Sequence, residues 1–95
     1  AFLGSEVGAS LDKADLVYAN NTAQRAFERN PPQQSSSWRN PESGNAGIVT
    51  PTTPTYQTTE GSYCREYQQS IFIEGREQKA FGRACRNEFG EWEIQ

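Results

Sequence analysis

Two cysteines flank a turn signal, and that arrangement constrains the fold more than anything else in the chain. Glu74-Gly75 separates two strand-like runs, YCREYQQSIFI and REQKAFGRACR, and a two-residue loop there closes a β-hairpin. Ile73 then pairs with Arg76, and counting outward brings Cys64 opposite Cys85. Hydrogen-bonded and non-hydrogen-bonded pairs alternate along the ladder, which puts the cysteines at a non-hydrogen-bonded site, where side chains are closest and within disulfide reach. The same register sets Glu66 against Arg83 and lays Tyr67 over Gly82, where an aromatic ring covers the missing side chain. A Cys64–Cys85 bridge closes a loop of 22 residues and contributes about 3 kcal/mol on the chain-entropy account. The competing reading is a pair of buried thiols in a cytosolic protein. A zinc pair is poorer, because no His and no further Cys exist to complete its shell.

Composition shows why a staple is needed. The chain has 95 residues, enough for one small domain, and only 34% of them are hydrophobic. Leu, Ile, Val and Phe together number 15, whereas Ser, Thr, Asn and Gln number 29. Core burial alone would leave such a fold marginal. A net charge of −3, however, is too small to favour disorder.

Several functions are excluded by the same inventory. Without His there is no imidazole-activated Ser or Cys nucleophile and no His-ligated zinc. Nine basic residues against twelve acidic ones, with no basic block, argue against nucleic acid as a partner. No run approaches the apolar length of a membrane span, and no charged n-region followed by an apolar h-region opens the chain, so the sequence as written reads as soluble. The missing initiator Met is consistent with a processed or truncated piece. Loops with calcium-binding spacing are absent, and no cofactor is implied.

The chain divides into four segments. Residues 1–9, AFLGSEVGA, carry Gly4 and Gly8 one helical turn apart, the spacing of glycine-mediated helix packing. Residues 10–30 read as a helix, with Ser10 as its cap, Asp12 in its first turn, Arg29 in its last and Asn30-Pro31-Pro32 as its stop. Leu16, Ala19, Ala23, Ala26 and Phe27 form its apolar stripe, suited to close packing on a sheet or another helix. The sequon Asn20-Asn21-Thr22 lies mid-helix, where glycosylation is not expected. Residues 31–37 form a linker. Residues 38–95 form an antiparallel β domain, its first short strands being Ser36 to Asn40 and Gly47 to Thr50. Pro51 and Pro54 confine the next stretch to an edge or an extended excursion, and Glu91 to Ile94 supplies the last strand. The resulting class is α+β: one helix, then a meander of four to five strands with a cross-strand disulfide.

Candidate binding residues are the aromatics Trp38, Tyr56, Tyr63, Tyr67 and Trp92, whose rigid rings offer contact area for a protein or a glycan. Their competing role is core, and the exposure of the two indoles discriminates: exposure favours binding, full burial sinks a binding site built on them. Arg39, Arg65, Arg83 and Arg86 could form a basic strip, against the simpler reading of solvated cross-strand pairing. The carboxylates Glu60, Glu66, Glu74, Glu77, Glu88, Glu91 and Glu93 single out no catalytic pair by spacing. Strand edges around Thr52 to Thr59 make self-association conceivable, although Pro51 and Pro54 blunt them.

At WRNPESGNAGIVTP, GSYCREYQQ, KAFGRACR and GEWEIQ the sequence resembles the glycine-zipper outer-membrane lipoproteins known as rickettsial seventeen-kilodalton surface antigens. The likeness covers nearly the whole chain and rests on Trp38-Arg39-Asn40-Pro41, Gly44-Asn45, Val49-Thr50-Pro51, Tyr63-Cys64-Arg65-Glu66-Tyr67, Ala80 with Gly82, and Ala84-Cys85-Arg86. Members of that family begin with a lipoprotein signal and a lipidated Cys, followed by a Gly-rich hydrophobic hairpin. The present sequence departs from the pattern in lacking the lipobox and most of the zipper, and it starts at the hairpin's tail. The resemblance implies the soluble C-terminal part of an outer-membrane lipoprotein. It would be anchored through its missing N-terminus and would face the periplasm or the cell surface, an oxidising setting that suits the disulfide. An envelope protein or a glycan is the implied partner, and a structural or interaction role is the implied function. The alternative is a periplasmic binding or inhibitor module using surface aromatics. No catalytic residues are carried over, because the family has none established.

Overall fold

The computed structural model describes residues 11–95. Ser10, the expected helix cap, and the glycine-spaced segment 1–9 lie outside the described residues. Helix α1 spans Lys13–Arg29 and is capped by Asp12, whose side chain accepts from the Asp15 amide at 2.8 Å while Asp15 accepts in return from the Asp12 amide at 3.1 Å. This reciprocal box satisfies two of the amide donors that a helix start leaves unpaired. The helix ends at Asn30, whose extended backbone is the conformation favoured before Pro31.

Six strands follow: β1 (Ser36–Arg39), β2 (Ala46–Pro51), β3 (Tyr56–Gln57), β4 (Tyr63–Ile73), β5 (Arg76–Arg86) and β6 (Trp92–Ile94). They form one antiparallel sheet in the order β1-β2-β4-β5-β6, with the two-residue β3 continuing the edge of β4 beyond β2. The α+β meander expected from sequence is therefore present, and β3 is the short product of the proline-interrupted stretch. β1 already begins at Ser36.

The central hairpin has the register that its turn dictates. Ile73 pairs with Arg76, Tyr67 with Gly82, Glu66 with Arg83 and Cys64 with Cys85. Both turn residues have positive φ, 52° at Glu74 and 79° at Gly75, the type I′ combination that matches strand twist. Cys64 and Cys85 form a disulfide, their Cα atoms 4.0 Å apart, as the close pairs of an antiparallel ladder require.

Helix α1 covers one face of the sheet. Its buried row is Asp15, Ala19, Thr22, Ala23, Ala26 and Phe27. This corrects the expected stripe at one end. Leu16 is turned out to solvent, and the charged Asp15 takes the inward position because hydrogen-bond donors meet it there. The three alanines bring helix and sheet backbones close. Phe27 reaches between Tyr67 and Trp92, its ring centroid 5.5 Å from each. Around it lie Val49, Ala84 and half-buried Ile94, while Leu11, Ala19, Trp38 and Ile71 form a second cluster.

Two aromatic–glycine pairs thicken a sheet poor in aliphatics. Tyr67 lies over Gly82 and Trp38 over Gly47, each directly opposite in register. A Cβ on Gly47 would overlap the buried indole, 2.7 Å from Cε2, whereas one on Gly82 would meet the Tyr67 hydroxyl at 3.1 Å. Gly47→Ala is therefore expected to destabilise by about 1–3 kcal/mol, and Gly82→Ala by less, as read from urea denaturation midpoints. Replacing both cysteines by Ala should lower stability by about 3 kcal/mol under the same assay, and reduction of the unmutated protein should give a loss of similar size.

Candidate functional site

The chemically reactive side chains of this domain meet the helix at its two ends and along one flank. At the N-terminal end, Asp15 has no exposed surface. Its Oδ1 accepts from Asn40 Nδ2 at 2.8 Å and from Ser43 Oγ at 2.6 Å, and its Oδ2 from Asn45 Nδ2 at 2.8 Å. All three donors come from the turn joining β1 to β2. That turn is tied by Asn40 N–H to Asn45 carbonyl at 2.9 Å and by Gly44 N–H to Asn40 carbonyl at 2.8 Å, with Gly44 at φ +78°. Burial raises the Asp15 pKa, but the donors from Ser43, Asn45, Asn40 and the Asp12 amide outweigh it, and the carboxyl is held below its ordinary value of 3.8. Asp15 is thus an anion whose acceptor sites are filled by neutral donors, an anchor rather than an acid or base poised for catalysis.

At the other end Arg65 is buried, 4% exposed, and donates through Nη1 to the carbonyls of Phe27 at 3.0 Å and Ala26 at 3.4 Å, and through Nε to the Thr53 carbonyl at 2.9 Å. Carbonyls in the last turn of a helix have no intrahelical partner, and a cation there complements the helix dipole. Arg65 therefore does not belong to a surface basic strip with Arg39, Arg83 and Arg86, which are exposed. It is a tertiary cap that also pins the proline-containing excursion.

Along the flank, Gln24 brackets the backbone of Trp92, with Nε2 donating to the Trp92 carbonyl at 2.7 Å and Oε1 accepting its N–H at 2.8 Å. Glu28 accepts from the Trp92 indole at 3.2 Å and pairs with Arg86, whose guanidinium lies 5.4 Å from the centre of the Trp92 ring. Phe27, Glu28, Thr55, Tyr63, Arg86 and Trp92 line an open cleft of about 240 Å³.

The residues expected to offer an interaction surface separate in the fold. Trp38 and Trp92 are 7% and 4% exposed, and Tyr67 is buried. Burial of both indoles counts against a binder built on those rings. Each is claimed by packing, Trp38 by Gly47 and Trp92 by Phe27. Trp38 and Arg39 belong to β1 at one edge of the sheet and Trp92 to β6 at the other, so they share no surface. Tyr63 is half-exposed in the cleft beside Trp92, and Arg39 is exposed. Tyr56 donates to Glu66, and that hydrogen bond pushes the phenol pKa up. Among the described residues no cluster of three Cys, Asp or Glu could hold a metal, and no helix is long and apolar enough to cross a membrane. Sequence reasoning missed Asp15, Ser43, Gln24 and Glu28. The hint was that Asn40, Ser43 and Asn45 all fall within the motif WRNPESGN, whose loop of turn formers the sequence shows.

Residues 25–93 match the family model described as 17 kDa outer membrane surface antigen. The chain belongs to this family. A 17 kDa surface antigen of Rickettsia bellii is 46% identical over 90 residues, which cover 95% of this chain and 56% of the relative. That of Rickettsia japonica is 47% identical over 86 residues, covering 90% and 54%, and that of Rickettsia prowazekii 46% over 83 residues, covering 87% and 52%. The chain spans about half the length of the curated relatives it matches. No solved structure matches it. The domain is accordingly one of this surface-antigen family, and its two buried charged groups, Asp15 and Arg65, hold the helix on the sheet.

The pH dependence of Asp15 follows from the sign of its shift. A carboxylate held below its ordinary pKa stabilises the fold at pH values above 3.8, and that contribution is lost as pH falls further through the depressed native value. Asp15→Asn turns an amide donor against existing donors and should cost about 2–3 kcal/mol at neutral pH. Acid titrations of stability should show the variant lacking the part of the acid-side decline that Asp15 supplies.

Proposed function

We propose that this chain is the stapled, soluble domain of a non-enzymatic bacterial outer-membrane lipoprotein, tethered by an N-terminal lipid and glycine zipper, with a structural or interaction role in the envelope. The observation that carries the reading is how the reactive groups are used. Asp15 and Arg65 are consumed in holding the helix, Glu28 and Arg86 close on Trp92, and the cysteines are joined. A family of surface antigens and a disulfide suited to an oxidising compartment support the same conclusion. The domain faces the periplasm or the cell surface.

The alternative, a periplasmic binding or inhibitor module, is narrowed to the cleft at Tyr63, the one ring of the expected set that is half-exposed there.

The intact mass of the mature protein, extracted from its own membranes and read before and after reduction, tests the proposal. A mass carrying acyl chains and rising by two hydrogens on reduction is the expected result. A lipid-free mass from the soluble fraction would overturn it.

A further inference from the structure

Strand β5 has eleven residues, but β6 pairs with only Ala84–Arg86 of it. One further bond, from the Gln95 N–H to the Arg83 carbonyl at 2.9 Å, extends that ladder. It also shows that the backbone groups of Arg83 point away from β4. Alternation along the strand gives the same outward direction to Phe81, Lys79 and Glu77. Among the described residues the sheet therefore ends, from Arg76 to Gly82, in an open row of donors and acceptors, and Phe81 beside it is 71% exposed. The edge around Thr52 to Thr59 is different, because prolines interrupt it and β3 already pairs with β4.

Charged side chains on an edge normally discourage pairing. Here they select a partner. When two copies of β5 meet antiparallel about a twofold axis, Glu77 against Glu77 or Lys79 against Lys79 opposes like charges. Glu77 against Arg83 needs a carbonyl already taken by Gln95. One register remains, with Glu77 of each copy opposite Lys79 of the other, so that the twofold axis supplies the favourable pair twice. It carries Phe81 toward the Gly75 turn of the second copy, where no neighbouring atom occupies the Cβ direction. We infer that the occupant of this edge is a second copy of the same chain, joined through β5 in that register into one continuous sheet. The inference does not depend on lipid anchoring.

In this register Gln78 faces its own equivalent at a non-hydrogen-bonded site, the arrangement in which Cys64 and Cys85 are bridged within one chain. Ala80 faces Arg76 of the second copy instead. Sedimentation equilibrium of the full chain over a range of concentrations should show a monomer–dimer equilibrium. Glu77→Lys alone should weaken association about tenfold or more, and so should Lys79→Glu alone, while the double exchange restores it. Gln78→Cys should give a disulfide-linked dimer under mild oxidation, and Ala80→Cys should not. Residues 77 to 79 are exposed and Ala80 is half-buried, and an intact Cys64–Cys85 bridge read by mass verifies that each variant keeps the fold. A monomer at every concentration would overturn the proposal, as would equal crosslinking at positions 78 and 80 or single charge reversals without effect.

Discussion

A buried carboxylate without a cation beside it must be satisfied by hydrogen bonds from neutral groups, and Asp15 imposes that demand on the turn between β1 and β2. Asn40, Ser43 and Asn45 can all reach it only if the turn keeps its bonded shape, so the helix start and the first hairpin stabilise each other. The opposite end repeats the logic with the opposite sign. Arg65 brings a guanidinium from the middle of the sheet to the last carbonyls of the helix. Both charges lie where the helix dipole favours them. In a chain with so few aliphatic side chains, these two polar clamps fix the helix position that apolar burial leaves loosely specified.

The apolar contribution depends on thin spacing rather than bulk. Alanines on the helix and glycines on the sheet remove side chains where the backbones approach, and the volume is returned by Phe27, Trp38, Tyr67 and Trp92. Trp38 and Tyr67 each lie over a glycine, and Phe27 packs between Tyr67 and Trp92, so the aromatics are buried although the chain is polar overall. The helix covers a single face. On the other face Ile48 and Phe81 remain exposed, and the cysteines share the alternation of that face with Glu66, Gln68 and Ser70. The disulfide thus adds a covalent constraint on the face opposite the helix, where Cys64 and Cys85 are themselves buried, and it limits the open ensemble.

The parts of this structure that were legible in the sequence are those fixed by local geometry. The Glu74-Gly75 turn sets every pair up to Cys64 and Cys85, including Tyr67 with Gly82, because register propagates from a two-residue loop without further information. The helix was legible from its alanine period and its stop, although its capping residue is Asp12 rather than a residue before it. The clamps were not legible. Asp15 lies 25 to 30 residues from the side chains that hold it, and Arg65 lies 38 from Phe27. Neither partner set has a spacing that distinguishes it from ordinary surface polarity. Arg65 resembles its exposed neighbours in sequence, and only its inward alternation with Tyr67, Gln69 and Ile71 separates it from Arg83.

The commitment of charged groups to internal work bears on what the surface has left to offer. An enzyme site keeps some ionisable groups incompletely satisfied so that substrate can complete them. In this domain the buried charges of Asp15 and Arg65 are hydrogen-bonded within the fold, and the cleft near Tyr63 has its acid and base already paired across it. Side-chain chemistry therefore gives way to backbone chemistry as the main unspent interaction. Among the described residues the open stretch of β5 has donors and acceptors without partners, and the Glu77 and Lys79 side chains that border it distinguish one pairing register from its neighbours. Held at a membrane surface, as proposed for this chain, copies would meet far more often than freely diffusing ones, and an edge of modest intrinsic affinity would suffice to pair them.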